Sequence, residues 1–201
     1  MNRRARLVPL ALAGLVTVAL ALSGCTSGDS LADQYRAGSG KGYIAGDGSV
    51  TEIPAEERGD AVEFAGTLED GSQVTSADYA GEVLVVNFWY AACAPCRAEA
   101  PDLKEISDQF ADEGATFLGV NVRDQAATAI AFNESFQISY ESVMDVDGGM
   151  QLAFSGSIPP NAVPTTLVLD SSGRVAARIL GQVNSPSILK TLIEDTIAED
   201  G

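Results

Sequence analysis

The chain has 201 residues, 46% of them apolar, enough to bury the core of one domain with appendages. Twenty-eight acidic residues against 12 basic ones give a formal charge of −16, and no basic stripe interrupts it, which excludes nucleic acid as a partner. With no histidine, the commonest metal ligand and general base are missing, so proton chemistry near neutrality falls to cysteine or a perturbed carboxylate.

The chain opens on a basic segment, Asn2-Arg3-Arg4-Ala5-Arg6, followed by an apolar run from Leu7 to Leu22. That run is short for a membrane span and suits a secretory signal. It ends in Leu22-Ser23-Gly24-Cys25, which resembles a bacterial lipobox and implies cleavage after Gly24 and lipidation of Cys25. An ordinary signal with a stray cysteine, or an uncleaved anchor, are the competing readings. The Arg3-Arg4 pair hints at a twin-arginine signal, but its neighbours fit that pattern poorly. Acylation of Cys25 would leave Cys93 and Cys96 as an isolated pair, resolving the odd cysteine count. Loss of Arg3, Arg4 and Arg6 leaves nine basic residues and a net −19, so a lipid rather than surface charge is the expected membrane anchor.

From Thr26 to Asp60 the chain carries Gly-Ser-Gly, Gly-Lys-Gly and Gly-Asp-Gly, then the acidic EIPAEERGD. It sustains no period of 2 or 3.6, and residues 25–60 are expected to form a lipidated flexible linker. As a Gly-rich coil it would span about 30–35 Å. A small hairpin within GYIAGDGSV is the alternative there.

A folded domain is predicted over 61–201. AVEFAGTLEDGSQVTSADYAGE gives two short strands about Asp70-Gly71, a hairpin turn signal. VLVVNFW, residues 83 to 89, is a continuous apolar run of the kind found in a strand buried on both faces. Pro95 to Phe110 reads as a helix, ATFLGVNV as a second buried strand, and Gln125 to Gln137 as another helix. A short helix at GGMQLAF, a hairpin of TTLVLD and RVAARIL, and a closing helix from Pro186 to Ala198 complete the pattern. The order predicts an α/β fold, a mixed central sheet with helices on both faces and an N-terminal β-hairpin extension.

A buried strand running into Cys93-Ala94-Pro95-Cys96 and a helix puts Cys93 at a helix N-terminus, where free backbone N–H groups stabilise a thiolate. Pro95 suits the first turn. The spacing sets Cys96 beneath Cys93, predicting an exposed attacking Cys93 and a shielded, resolving Cys96. Structural zinc needs four N/S ligands, more than a cysteine pair without histidine supplies. A static disulfide across so short a span would stabilise little. A redox-active pair is the reading that remains.

VVNFWYAACAPCRAEAP resembles the active-site segment of the TlpA/ResA-like thioredoxin-fold proteins, membrane-anchored thiol–disulfide oxidoreductases of bacteria. The resemblance runs from Ala61 to Ala198 and rests on the Asn-Phe-Trp strand end, the CxxC, RAEAP, and VPTTLVLDSSGRV. It implies a thioredoxin-like fold, a cis bond between Val163 and Pro164, and a Val163-Pro164 loop that pairs with substrate backbone. Two departures stand out. Most relatives carry Trp before the first cysteine, where this chain has Ala92; thioredoxins carry a buried Asp where this chain has Asn87.

Glu99, three residues after Cys96, matches a buried acid of the ResA-like group. The resemblance implies that it takes the Cys96 proton, although by its sequence alone it reads as a surface glutamate. Trp89 is expected beside the active site or simply in the core, and Arg97 facing water. The resemblance further implies an extracytoplasmic protein-disulfide reductase, lipid-anchored to the cell membrane. Its electrons would come from a membrane thiol transporter, and its substrates would be oxidised exported proteins, apocytochrome c among them. The chain is expected to be a monomer with no bound cofactor and no metal. The rival readings are a peroxiredoxin-like thiol peroxidase, a disulfide-forming oxidase and a non-catalytic binding lipoprotein. The peroxidase wants Thr or Ser three residues before its cysteine, and that position is Tyr90.

Overall fold

The computed structural model describes residues 50–159 and 161–200, so the expected signal sequence over 1–24 and the expected lipidation site Cys25 lie outside the described residues. A six-stranded mixed sheet forms the centre. Its strands are β1 (Val50–Glu52), β4 (Val83–Trp89), β5 (Ala115–Asn121), β6 (Ser142–Met144), β7 (Thr165–Leu169) and β8 (Val175–Leu180), in the order β1-β8-β7-β4-β5-β6. β4, β5 and β6 run parallel, while β7 and β8 form the antiparallel hairpin that lies against β4. A separate hairpin, β2 (Ala65–Thr67) with β3 (Gln73–Thr75), turns through Gly71 at φ 90° and joins the sheet by a bridge from Leu68 to Val143.

β4 is buried at all seven residues, as its unbroken apolar run requires of a central strand. Its alternation divides the two faces. Leu84, Val86 and Phe88 join Phe64 and Val74 of the hairpin region and Met150 of the short helix α3 (Gly149–Ala153). The opposite face turns Asn87 toward α1 (Ala94–Phe110), where its amide bonds Glu99. α2 (Ala126–Phe136) contributes Ala129 and Phe132 to the cluster that holds Trp89 and both active-site cysteines. α4 (Pro186–Asp200) packs along α1 and over β4 and β7. Among the described residues, no helix is long and apolar enough to cross a membrane.

One local reading is corrected, and one strand went unread. The linker expected over 25–60 does not extend to Asp60, because Val50–Glu52 pairs antiparallel with β8. Ile53 packs on the core, and the Arg58 side chain, 3% exposed, bonds Asp170, Glu199 and the Ile53 carbonyl. Three residues are too few to display a period, so a strand that exists by adding to a sheet edge leaves no pattern to read. The same reason hid β6, whose Ser142 and Val143 are buried within a polar stretch.

Candidate active site

Cys93 and Cys96 form a disulfide, with Cα atoms 5.2 Å apart. Cys93 is the N-cap of α1, and its Sγ accepts the Cys96 N–H at 3.2 Å. A thiolate at this position therefore has a backbone donor and the positive end of the helix dipole, both absent one turn further in. Pro95 stands in the first turn, where its missing N–H costs no helical bond.

The expected contrast in exposure is not found: both cysteines are 3% exposed. Tyr90, Ala91, Phe136 and Val163 pack against the cluster that contains the pair. Phe136 comes from α2 and Val163 from the loop before β7, elements that local spacing around the CxxC does not reveal. What distinguishes the sulfurs is the N-cap, not solvent access.

Glu99 is fully buried, so its reading as a surface glutamate fails. Its two oxygens are held separately: Oε1 accepts Asn87 Nδ2 at 3.0 Å and Oε2 accepts the Val183 N–H at 2.8 Å. Burial dominates these bonds and pushes the carboxyl up to about 7, with Asp102 adding a little. Asn87, where thioredoxins carry an acid, orients Glu99 and also donates to Thr166 Oγ1 at 3.1 Å. The polar residue within VLVVNFW was the visible signal for this network; Val183 acts through its backbone and left none.

Trp89 is 4% exposed and lies against Phe132 with ring centroids 4.4 Å apart. Its Nε1 donates to Ser142 Oγ at 3.3 Å, over Gly119, where a Cβ would come within 2.2 Å of that hydroxyl oxygen. A cavity of about 10 Å³ adjoins Cys96 and is bounded also by Asn87, Trp89 and Tyr140. Burial, with the Glu99 charge behind it, raises the pKa of Tyr140, a residue the sequence reading passed over. Arg97 is exposed as expected, with its guanidinium 5.1 Å from the Phe136 ring centroid. The Val163–Pro164 bond is cis, Pro164 is buried, and Val163 packs against the cysteine cluster. The described residues contain no cluster of three or more Cys, Asp or Glu that could hold a metal ion.

Residues 58–178 match the model of the AhpC/TSA family. The chain belongs to that family. Within it, the chain is 29% identical over 132 residues to the thiol-disulfide oxidoreductase ResA of Geobacillus kaustophilus, covering 66% of this chain and 74% of the relative. It is 30% identical over 127 residues to the thiol:disulfide interchange protein DsbE of Pseudomonas aeruginosa, covering 62% and 65%. Among solved structures it is similar to a DsbF homologue from Corynebacterium diphtheriae, at 33% identity and a TM-score of 0.66 over 76% of this chain and 96% of the other. A secreted thiol-disulfide isomerase from Corynebacterium glutamicum gives 30% and 0.67, over 77% and 96%. The thioredoxin-like fold and the TlpA/ResA-like resemblance both hold, and this AhpC/TSA member is a thiol–disulfide oxidoreductase carrying a CxxC couple.

Proposed function

We propose that the chain is an extracytoplasmic protein-disulfide reductase in which Cys93 attacks and Cys96 resolves. The observation that carries this reading is the Cys93–Cys96 disulfide at a helix N-terminus with a buried carboxyl, poised near neutrality, three residues beyond it. The Cys93 thiolate attacks one sulfur of a substrate disulfide, forming a mixed disulfide and releasing the other sulfur as a thiolate. Cys96 loses its proton to Glu99 and attacks Cys93 Sγ, breaking the mixed disulfide. The substrate leaves as a dithiol and the enzyme as the disulfide. A dithiol donor, of the kind a membrane thiol transporter supplies, then restores the reduced pair.

Val163, Pro164 and Trp89 are the proposed substrate-facing residues, with the Val163 backbone pairing to an extended segment. Residues 1–24 would direct export, and lipidated Cys25 would hold a monomeric domain at the outer face of the cell membrane through the intervening tether. Oxidised exported proteins are the substrate class, with apocytochrome c the specific candidate; no cofactor takes part. The relatives named for thiol–disulfide exchange support this chemistry over peroxide reduction, as does Tyr90 three residues before Cys93. To test it, the reduced chain is mixed with an oxidised Cys-x-x-Cys-His peptide and quenched with acid. The expected result is peptide dithiol appearing in step with the Cys93–Cys96 disulfide. A peptide that stays oxidised while the protein stays reduced contradicts the proposal.

A further inference from the structure

The loop after β5 is bonded to the loop that leads into Cys93. Trp89 stands opposite Asn121 in the β4–β5 register, so the two strands end level, and the Val122 N–H donates to the Trp89 carbonyl at 3.1 Å. Asn121 is fully buried and acts as the anchor. Its Oδ1 accepts the N–H groups of Asp124 at 2.7 Å and Arg123 at 3.1 Å, and its Nδ2 donates to Asp124 Oδ2 at 2.9 Å. The carboxylate oxygen fixed in this way accepts the Ala91 N–H at 2.6 Å.

The Ala91 carbonyl accepts Arg97 Nη1 at 3.4 Å, so the residue two before Cys93 is held at both its polar groups. The Arg123 guanidinium lies 4.1 Å from the Tyr90 ring centroid, and the Tyr90 carbonyl accepts the Cys93 N–H at 3.1 Å. A chain of bonds thus runs from a buried strand end, through one carboxylate, to the backbone that sets the N-cap cysteine. A neutral acceptor would suffice to staple the loop. A carboxylate also brings a negative charge to the backbone two residues before Cys93, whose sulfur must become a thiolate.

We propose that Asp124 is a positioning residue that fixes the Tyr90–Ala92 loop and, by its charge, keeps the Cys93 thiol less acidic than the helix N-terminus alone would make it. The charged groups that contact the segment leading into Cys93 are Arg97 from α1 and Arg123 and Asp124 from the loop after β5, while Glu99 is bonded to Asn87 and Val183. α2 and the loop before β7 bring apolar Phe132, Phe136 and Val163. A less acidic thiol gives a more nucleophilic thiolate and a less stable reduced form, which poises the couple toward reduction of substrates. The inference rests on the reading of Cys93 as the attacking sulfur.

The test uses the full reduced chain and two variants. Asp124→Asn keeps a carbonyl oxygen to accept both N–H groups but removes the charge. Its Cys93 ionisation constant, read from thiolate absorbance against pH, is expected to rise about fivefold. Its equilibrium with glutathione moves toward the reduced form by up to the same factor, or about 20 mV. Asp124→Ala loses both bonds as well, and is expected to exchange about tenfold more slowly than Asp124→Asn. Substoichiometric iodoacetamide, with the labelled residue found by mass spectrometry, separates the two claims. Label on Cys93 with an unmoved ionisation constant in Asp124→Asn overturns the role of Asp124 alone. Label on Cys96 first overturns the assignment of Cys93 and this inference with it.

Discussion

Replacing Cys96 by serine is expected to turn the enzyme into a trap. Cys93 would still attack a substrate disulfide, but no second thiol would release the product, so the mixed disulfide should accumulate on a non-reducing gel. Turnover should fall by at least ~10³-fold, since the two sulfurs act as one unit. Cys93→Ser should be equally inactive yet form no mixed disulfide. The comparison is a real test because both sulfurs are equally buried, and only the N-cap position and the Cys96 N–H at Cys93 Sγ favour one over the other. Trapping by Cys93→Ser and not by Cys96→Ser would reverse the assignment. Neither change should unfold the domain, because the disulfide closes only a short loop.

Glu99→Gln is expected to act in opposite senses on stability and on rate. The Glu99 carboxyl is raised by burial from 4.5 to about 7. Between those values the folded chain keeps a proton that the unfolded chain has lost. The associated stability is therefore fully present below about pH 4.5 and is lost as pH rises through 7, amounting to about 3 kcal/mol. Denaturant midpoints of the oxidised protein should fall across that window. The glutamine variant should remove this component of the pH dependence and be the more stable form above pH 7. One oxygen of the glutamine still accepts the Val183 N–H, while the Asn87 amide must turn over to meet its NH2. The rate should move the other way: without Glu99 to accept the Cys96 proton, resolution of the mixed disulfide should slow by about 100-fold, and its inflection near pH 7 should disappear. Stopped-flow rates equal to wild type would remove Glu99 from the mechanism.

Much of this site could be read from the chain because its chemistry is local. An apolar strand, two cysteines one helical turn apart and a proline between them specify a helix-capping redox pair without reference to the rest of the fold. The burial of Glu99 was not local. It depends on β4 turning Asn87 toward α1 and on the segment after β8 bringing up Val183, contacts 12 and 84 residues away in sequence. The resemblance to TlpA/ResA-like proteins suggested it; the charge and position of Glu99 alone pointed to the surface. The burial of Cys93 went unread for a similar reason, since Phe136 and Val163 come from separate elements. The strands Val50–Glu52 and Ser142–Met144 failed differently: each is three residues long and is stabilised by a neighbouring strand rather than by a pattern of its own.

The direction of electron flow is the central claim, and the reduction potential of the Cys93–Cys96 couple tests it most directly. Equilibration of the full chain with graded dithiothreitol and glutathione buffers, read by the fraction of free thiol, gives the value. A reductant should lie near or below about −270 mV, the region of thioredoxin. A value near about −120 mV would contradict the account and make the chain a donor of disulfides to newly exported thiols.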